Sequence, residues 1–122
     1  MQISAHQAAL LARPQIEGFE LRAQEILKRE FPAVARRDDP APLARFVSHG
    51  HERAVLHGFT SERDIVQYLV VMMHLGPFFD VDPVREPHMR MFLDASSTMK
   101  PAMRMRVLMQ AAKAQQRRMN GS

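Results

Sequence analysis

Apolar residues recur every three or four positions through most of this chain, and this spacing is the feature that most restricts its fold. Such spacing predicts amphipathic helices, each with one apolar face turned towards a core. Alternating strand patterns and hairpin turn pairs are absent from the sequence. The sequence therefore predicts an all-α fold, a single-domain bundle of four to five helices over residues 1–122.

Prolines, glycines and capping residues indicate where these helices begin and end. Pro14 is expected either to kink the first helical stretch or to open a new helix, and Phe31-Pro32 to end that helix. Gly50 is expected to let another helix approach closely, and Gly58 to form a left-handed C-cap. The main predicted helices lie at residues 14–30, 40–57, 61–75, 87–95 and about 99–118.

Composition excludes several classes of protein. The chain has 122 residues, 46% hydrophobic and 25% charged, which is typical of one globular domain. Because there is no cysteine, disulfides, zinc–thiolate sites and thiol nucleophiles are excluded. The longest apolar run, residues 68–73, is far shorter than the roughly 20 residues of a membrane span. With no signal-peptide pattern at the N-terminus, the expected location is the cytoplasm.

The polar residues do not form a pattern typical of catalysis or metal binding. His49, His51 and His57 lack the spacing of three or four residues that places two ligands on one helical face, and they are interpreted as exposed or capping residues. Asp80 and Asp82 lack the glycine and the late glutamate of a calcium loop, and Asp82-Pro83 is interpreted as a cap or turn. Nucleophile-elbow and phosphate-loop motifs are also absent. We therefore predict no catalytic residue, no cofactor and no metal site, and hence no enzyme.

The C-terminal segment is both basic and rich in methionine. Residues 99–122 contain six basic and no acidic residues, and seven of the ten methionines lie from residue 89 onward. Methionine is common on adaptable binding surfaces, and exposed apolar surface rimmed by arginine is typical of protein interfaces. Core packing and a solvated helix remain alternative interpretations. The predicted partner-binding residues are Met103, Met105, Arg106, Met109 and Lys113, with Phe78 and Phe79 holding the preceding loop.

One ordered set of residues is distinctive: Phe19, Phe31-Pro32, Ala54 with Gly58, Glu62-Arg63-Asp64, Tyr68 and Gly76-Pro77-Phe78-Phe79-Asp80-Val81-Asp82-Pro83. In this order the chain resembles a family of small helical proteins encoded in bacterial type VI secretion effector clusters, beside the effector and its VgrG or PAAR adaptor chaperone. The resemblance covers roughly residues 19–93. It implies a co-chaperone or adaptor-like accessory protein that binds an effector, its adaptor chaperone or a spike protein in the cytoplasm.

Three other functions remain open at the level of sequence. An immunity protein that neutralises a cognate toxin is a close variant, because immunity genes lie in the same clusters. Nucleic-acid binding through the basic last helix is disfavoured, because few aromatic residues are free to stack on bases. A homodimer completed by the last helix is the third alternative.

Overall fold

The computed structural model describes residues 5–35 and 38–120, and the regular structure in this part of the chain is entirely helical. Six α-helices occur there, together with one short 3-10 helix at Phe79–Val81. The α-helices are α1 (Ala5–Glu30), α2 (Pro32–Ala35), α3 (Ala41–Leu56), α4 (Glu62–Leu75), α5 (Glu86–Leu93) and α6 (Pro101–Asn120). The prediction of an all-α fold is therefore confirmed.

The structure contradicts the expectation that a new helix opens at Pro14 and confirms the expectation that the helix ends at Phe31-Pro32. Helix α1 continues through Pro14 and does not restart there. A proline in a helix removes one backbone hydrogen bond, and the turns on both sides hold this long helix together in spite of that loss. The predicted end is confirmed, since Phe31 lies outside the helix and Pro32 opens the one-turn helix α2.

The last helix begins two residues later than predicted. The carbonyl of Lys100 accepts a hydrogen bond from the N–H of Arg104 at 3.0 Å, which is the first bond of α6. Pro101 therefore takes the first helical position, where the missing N–H of proline costs no hydrogen bond. Ahead of the helix, the hydroxyl of Ser97 accepts from the N–H of Met99 at 3.1 Å.

The chain divides into two compact units, residues 1–47 and 48–122. The prediction of one domain over residues 1–122 stays a prediction. In the first unit, the buried apolar side chains follow the predicted helical spacing of three to four residues. These core side chains are Phe19, Ala23 and Leu27 on α1 and Leu43 and Val47 on α3.

The second unit is organised around α4, as the apolar width of that helix predicts. Six of its residues are buried, and α6 packs against it. The hydroxyl of Ser61 accepts a hydrogen bond from the N–H of Asp64 at 3.1 Å and so caps the helix. At the other end Gly76 adopts a φ of 104° and donates its N–H to the carbonyl of Met72.

Helix α3 also approaches α4 closely in this unit. A Cβ atom on Gly50 would lie 2.3 Å from Cδ2 of Leu69 and 2.7 Å from the sulfur of Met72. These distances are shorter than van der Waals contact, so only glycine fits at this position without a shift of the neighbours. The expectation that Gly50 permits a close helix approach is confirmed. The C-cap expectation for Gly58 agrees with its φ of 86°.

Candidate partner-binding surface

Four of the five residues predicted on the last helix are accessible to a partner. Met103 is 46% exposed, Arg106 and Lys113 are exposed, and Met109 is half-buried. Met105 is only 1% exposed, so its prediction as a contact residue is wrong for this structure. It shares a helical face with other core residues of α6, three and seven positions further on. That face packs inside the unit, and the methionine completes the core.

The two phenylalanines before α5 have different surroundings. The side chain of Phe79 is 1% exposed and its ring centroid lies 5.3 Å from that of Tyr68. Phe78 is 62% exposed and contacts the ring of His49 edge-on, with 5.0 Å between centroids. Adjacent residues in a 3-10 turn point in different directions, so only one of the pair enters the core. Phe79 is therefore unavailable to a partner, a correction to its prediction as a binding residue.

A groove with a volume of about 530 Å³ lies between the first half of α4 and helix α6. We call it the α4–α6 groove. Its lining is largely polar and includes three cationic side chains and one carboxylate. The lining residues are Ser61, Arg63, Asp64, Gln67, Ala102, Arg106, Met109, Gln110 and Lys113.

The α4–α6 groove brings together some of the predicted residues and adds others. Arg106, Met109 and Lys113 line it side by side, whereas Met103 does not. Arg63 and Gln67 also line it and were missed, although Arg63 belongs to the segment that carries the family resemblance. Nothing in the spacing of residues pairs a position near 63 with one near 110, so this part of the surface emerges only when the helices pack.

A second groove, of about 480 Å³, is more apolar. None of the predicted contact residues lines it. Its lining residues are Leu75, Val84, Arg85, His88, Met89, Ala111, Ala114 and Gln115. Three of the predicted contact residues thus line the α4–α6 groove, whereas none lines this second groove.

The Asp80 side chain, 1% exposed, is the centre of a buried polar cluster. Its Oδ2 accepts hydrogen bonds from Nε of Arg53 at 2.6 Å and from Nε2 of His57 at 2.9 Å. Burial by itself raises the pKa of this carboxyl, but the hydrogen bonds and charges of His57 and Arg53 outweigh it and hold the pKa below its usual value. We call Asp80, His57 and Arg53 the Asp80 cluster. The side chain of His57 is 14% exposed, so its interpretation as an exposed histidine is wrong, and the buried role of Asp80 was not predicted from the sequence.

His57 uses both ring nitrogens in this cluster. While Nε2 faces the carboxylate, Nδ1 lies 2.8 Å from the backbone carbonyl of Leu93. Both ring nitrogens are therefore engaged with partners inside the protein. The geometry makes His57 a bridge between the end of α3, the 3-10 helix and the end of α5.

Tyr68 lies beside the Asp80 cluster. Its hydroxyl is buried and makes no hydrogen bond that meets distance and angle criteria within the described residues. Burial, followed by the nearby charge of Asp80, raises the pKa of Tyr68 far above its usual value. The phenol therefore stays neutral and serves as a core aromatic against Phe79.

Arg104 is a second buried charge, although it falls in the segment expected to be a basic surface. It is 2% exposed, and its Nη1 donates to the carbonyls of His57 at 2.8 Å and Phe92 at 3.2 Å. Its guanidinium carbon lies 4.6 Å from the centroid of the Phe59 ring, a cation–π contact. Burial lowers the pKa of Arg104 from its usual value. Arg104 thus caps the C-terminal ends of α3 and α5, where the helix dipoles favour a cation.

Comparisons of this chain with models of protein families, with curated proteins and with solved structures find no match. Within residues 5–35 and 38–120, no three histidine, aspartate or glutamate residues stand close enough together to hold a metal ion. Every helix in the same ranges is too short or too polar to cross a bilayer.

Proposed function

We propose that this chain is a non-enzymatic accessory protein that binds a partner protein through the α4–α6 groove. The observation that carries the proposal is the convergence of Arg106, Met109 and Lys113 with Arg63 around one cavity. Exposed arginine beside methionine is typical of surfaces that bind other proteins. Met103 lies on the same helix, 46% exposed, and extends the apolar part of the contact area.

Exposed apolar residues elsewhere in the second unit favour a protein partner. Phe78, Val84 and Met91 are 62%, 76% and 64% exposed. Large apolar side chains left in water lose the stabilisation that burial provides, and a protein partner restores it on binding. Nucleic acid gains less from such side chains, because its recognition depends on phosphate contacts and base stacking.

The resemblance to proteins of type VI secretion effector clusters supports a specific client. The segment Gly76–Pro83, the best marker of that resemblance, contains the exposed Phe78 and the buried Phe79. We infer that the client is a secretion effector, its adaptor chaperone or a spike protein. The chain would bind this client in the cytoplasm and act as a co-chaperone.

Site-specific photocrosslinking in the native host tests the proposal. A photoreactive residue replaces the exposed Gln110, which lines the α4–α6 groove, or Leu21 on α1, which is 62% exposed, as the matched control. We expect Gln110, and not Leu21, to yield a crosslinked product that mass spectrometry identifies as an effector, adaptor or spike protein. A toxin domain from which the chain protects cells would identify an immunity protein instead. Identical products from both positions, or only a crosslinked homodimer, would contradict the proposal.

A further inference from the structure

The α4–α6 groove carries more positive charge than the carboxylate in its own lining offsets. Within the described residues, Arg63, Arg106 and Lys113 form no ion pair with a carboxylate. Asp64 supplies one carboxylate to the lining against these three cations. A cleft with an excess of one charge concentrates ligands of the opposite charge. The groove therefore favours an anionic ligand.

The spacing of the cations fits a short segment of polypeptide. Arg106 and Lys113 are seven residues apart on α6, which is two turns or about 10 Å along the helix axis. An extended peptide covers that distance in about three residues, since each residue advances it by about 3.3 Å. Met109, between them in the sequence, lines the groove and provides a flexible apolar contact.

We propose that the α4–α6 groove binds a short, extended acidic segment of the partner protein. This inference rests on the protein-binding function proposed above and specifies the chemistry of the ligand. Arg106 and Lys113 on α6 and Arg63 on α4 pair with carboxylates of the segment, and guanidinium groups do so through two parallel hydrogen bonds. Ala102 and Met109 contact apolar atoms of the same segment.

The lining favours an acidic peptide over nucleic acid. No aromatic side chain is present among the residues that line the α4–α6 groove. Bases of single-stranded nucleic acid bind largely by stacking on aromatic rings, so this groove offers them phosphate contacts alone. A peptide uses both the cations and the apolar lining, and it therefore gains more from this site.

Fluorescence anisotropy with a synthetic peptide tests this inference on the full chain. The probe is a labelled eight-residue peptide of alternating Glu and Leu. The comparison ligands are the same peptide with Gln in place of Glu and a single-stranded DNA of equal net charge. We expect the Glu peptide to bind at least tenfold more tightly than either comparison ligand and to weaken as salt is raised.

Charge-reversal variants locate the binding. The double variant Arg106→Glu/Lys113→Glu should weaken binding of the Glu peptide at least tenfold, whereas the control Arg45→Glu, an exposed arginine of α3 outside the groove, should leave it unchanged. The milder pair Arg106→Gln/Lys113→Gln, checked for folding by circular dichroism, should weaken it in the same direction.

Three results overturn the inference: equal binding of the Gln peptide, tighter binding of the DNA, or unchanged binding by the groove variants. In each case a photocrosslink from Gln110 to a protein client would still stand, so the failure of this inference is distinguishable from failure of the proposed function. Loss of the crosslink together with tight DNA binding would instead identify a nucleic-acid-binding protein.

Discussion

Asp80 is a buried carboxylate of the second unit on which the side chains of Arg53 and His57 converge. It accepts hydrogen bonds from Arg53 and His57, and its charge acts on the neighbouring Tyr68. A buried carboxylate is stable only when such donors replace the water that it has lost. The Asp80 cluster therefore fixes the position of the 3-10 helix relative to the end of α3.

Replacing Asp80 with asparagine should destabilise the protein. The variant Asp80→Asn keeps the shape but removes the charged acceptor from Arg53 and His57, and loss of one partner of a buried pair costs about 3 kcal/mol of unfolding free energy. Urea denaturation at neutral pH measures this loss of unfolding free energy. The control Asp82→Asn keeps a side-chain oxygen for the N–H of Val84 and should change stability by less than about 0.5 kcal/mol. Equal effects of the two changes would show that the cluster contributes nothing particular.

The carboxyl of Asp80 also makes the unfolding free energy depend on pH in the acid range. The pKa of Asp80 is held below its usual value in the folded protein, whereas in the unfolded chain it is about 3.9. In the window between these two values the unfolded chain binds more protons, so the contribution of Asp80 is complete above about pH 4 and is lost as pH falls through the folded-state pKa. The stability difference between the natural protein and Asp80→Asn should therefore shrink on acidification below about pH 4. A difference that grows with acid would contradict the assignment.

At the scale of helices, the contact between α3 and α4 depends on the absence of a side chain. Gly50 lets the buried Leu69 and Met72 of α4 lie against the backbone of α3. Glycine is a poor residue inside a helix, costing about 1 kcal/mol relative to alanine. Its presence here is explained by the close packing that it allows.

Two glycine-to-alanine substitutions should therefore have opposite effects on the stability of the protein. In Gly50→Ala the new Cβ overlaps the buried side chains of Leu69 and Met72, which must shift to admit it, and we expect overpacking of about 1 to 3 kcal/mol to outweigh the gain in helix propensity. In Gly18→Ala on α1 the nearest atom is 3.6 Å away, so the propensity gain should raise stability by up to about 1 kcal/mol. Thermal denaturation compares the melting temperature of each variant with that of the natural protein. A stabilised Gly50→Ala protein would contradict the packing argument.

Over the molecule as a whole, basic residues that are close in sequence have different roles. Arg104 is buried and joins the ends of α3 and α5 to α6, whereas Arg106 is exposed and lines the α4–α6 groove. The excess positive charge of residues 99–122 is thus partly internal. Only the exposed part of it is available to a partner.

Methionine substitutions should separate the two roles. Arg104→Met leaves two backbone carbonyls without their guanidinium donor and removes the cation–π contact, so unfolding free energy should fall by about 3 kcal/mol. Arg106→Met should change stability by less than about 0.5 kcal/mol but weaken binding of the acidic peptide. Urea denaturation and anisotropy on both variants provide the test. If Arg106→Met destabilised the protein as much as Arg104→Met, the division between the two arginines would be wrong.

The helices and most of their ends follow from the sequence, because they depend on interactions within a few residues. The glycine at position 50 indicates a close helix approach, but only the tertiary structure shows that Leu69 and Met72 of α4 are the side chains that approach it. Periodicity identifies apolar faces, and capping residues act on the next turn. Local periodicity does not distinguish Met105 from Met109, because both lie on apolar stripes of α6. Only the packing of α6 against α4 buries Met105 and leaves Met109 at the groove. The Asp80 cluster joins Arg53 and His57 to a carboxylate more than 20 residues away. Such contacts have no local periodicity, and they form only when helices distant in sequence pack together.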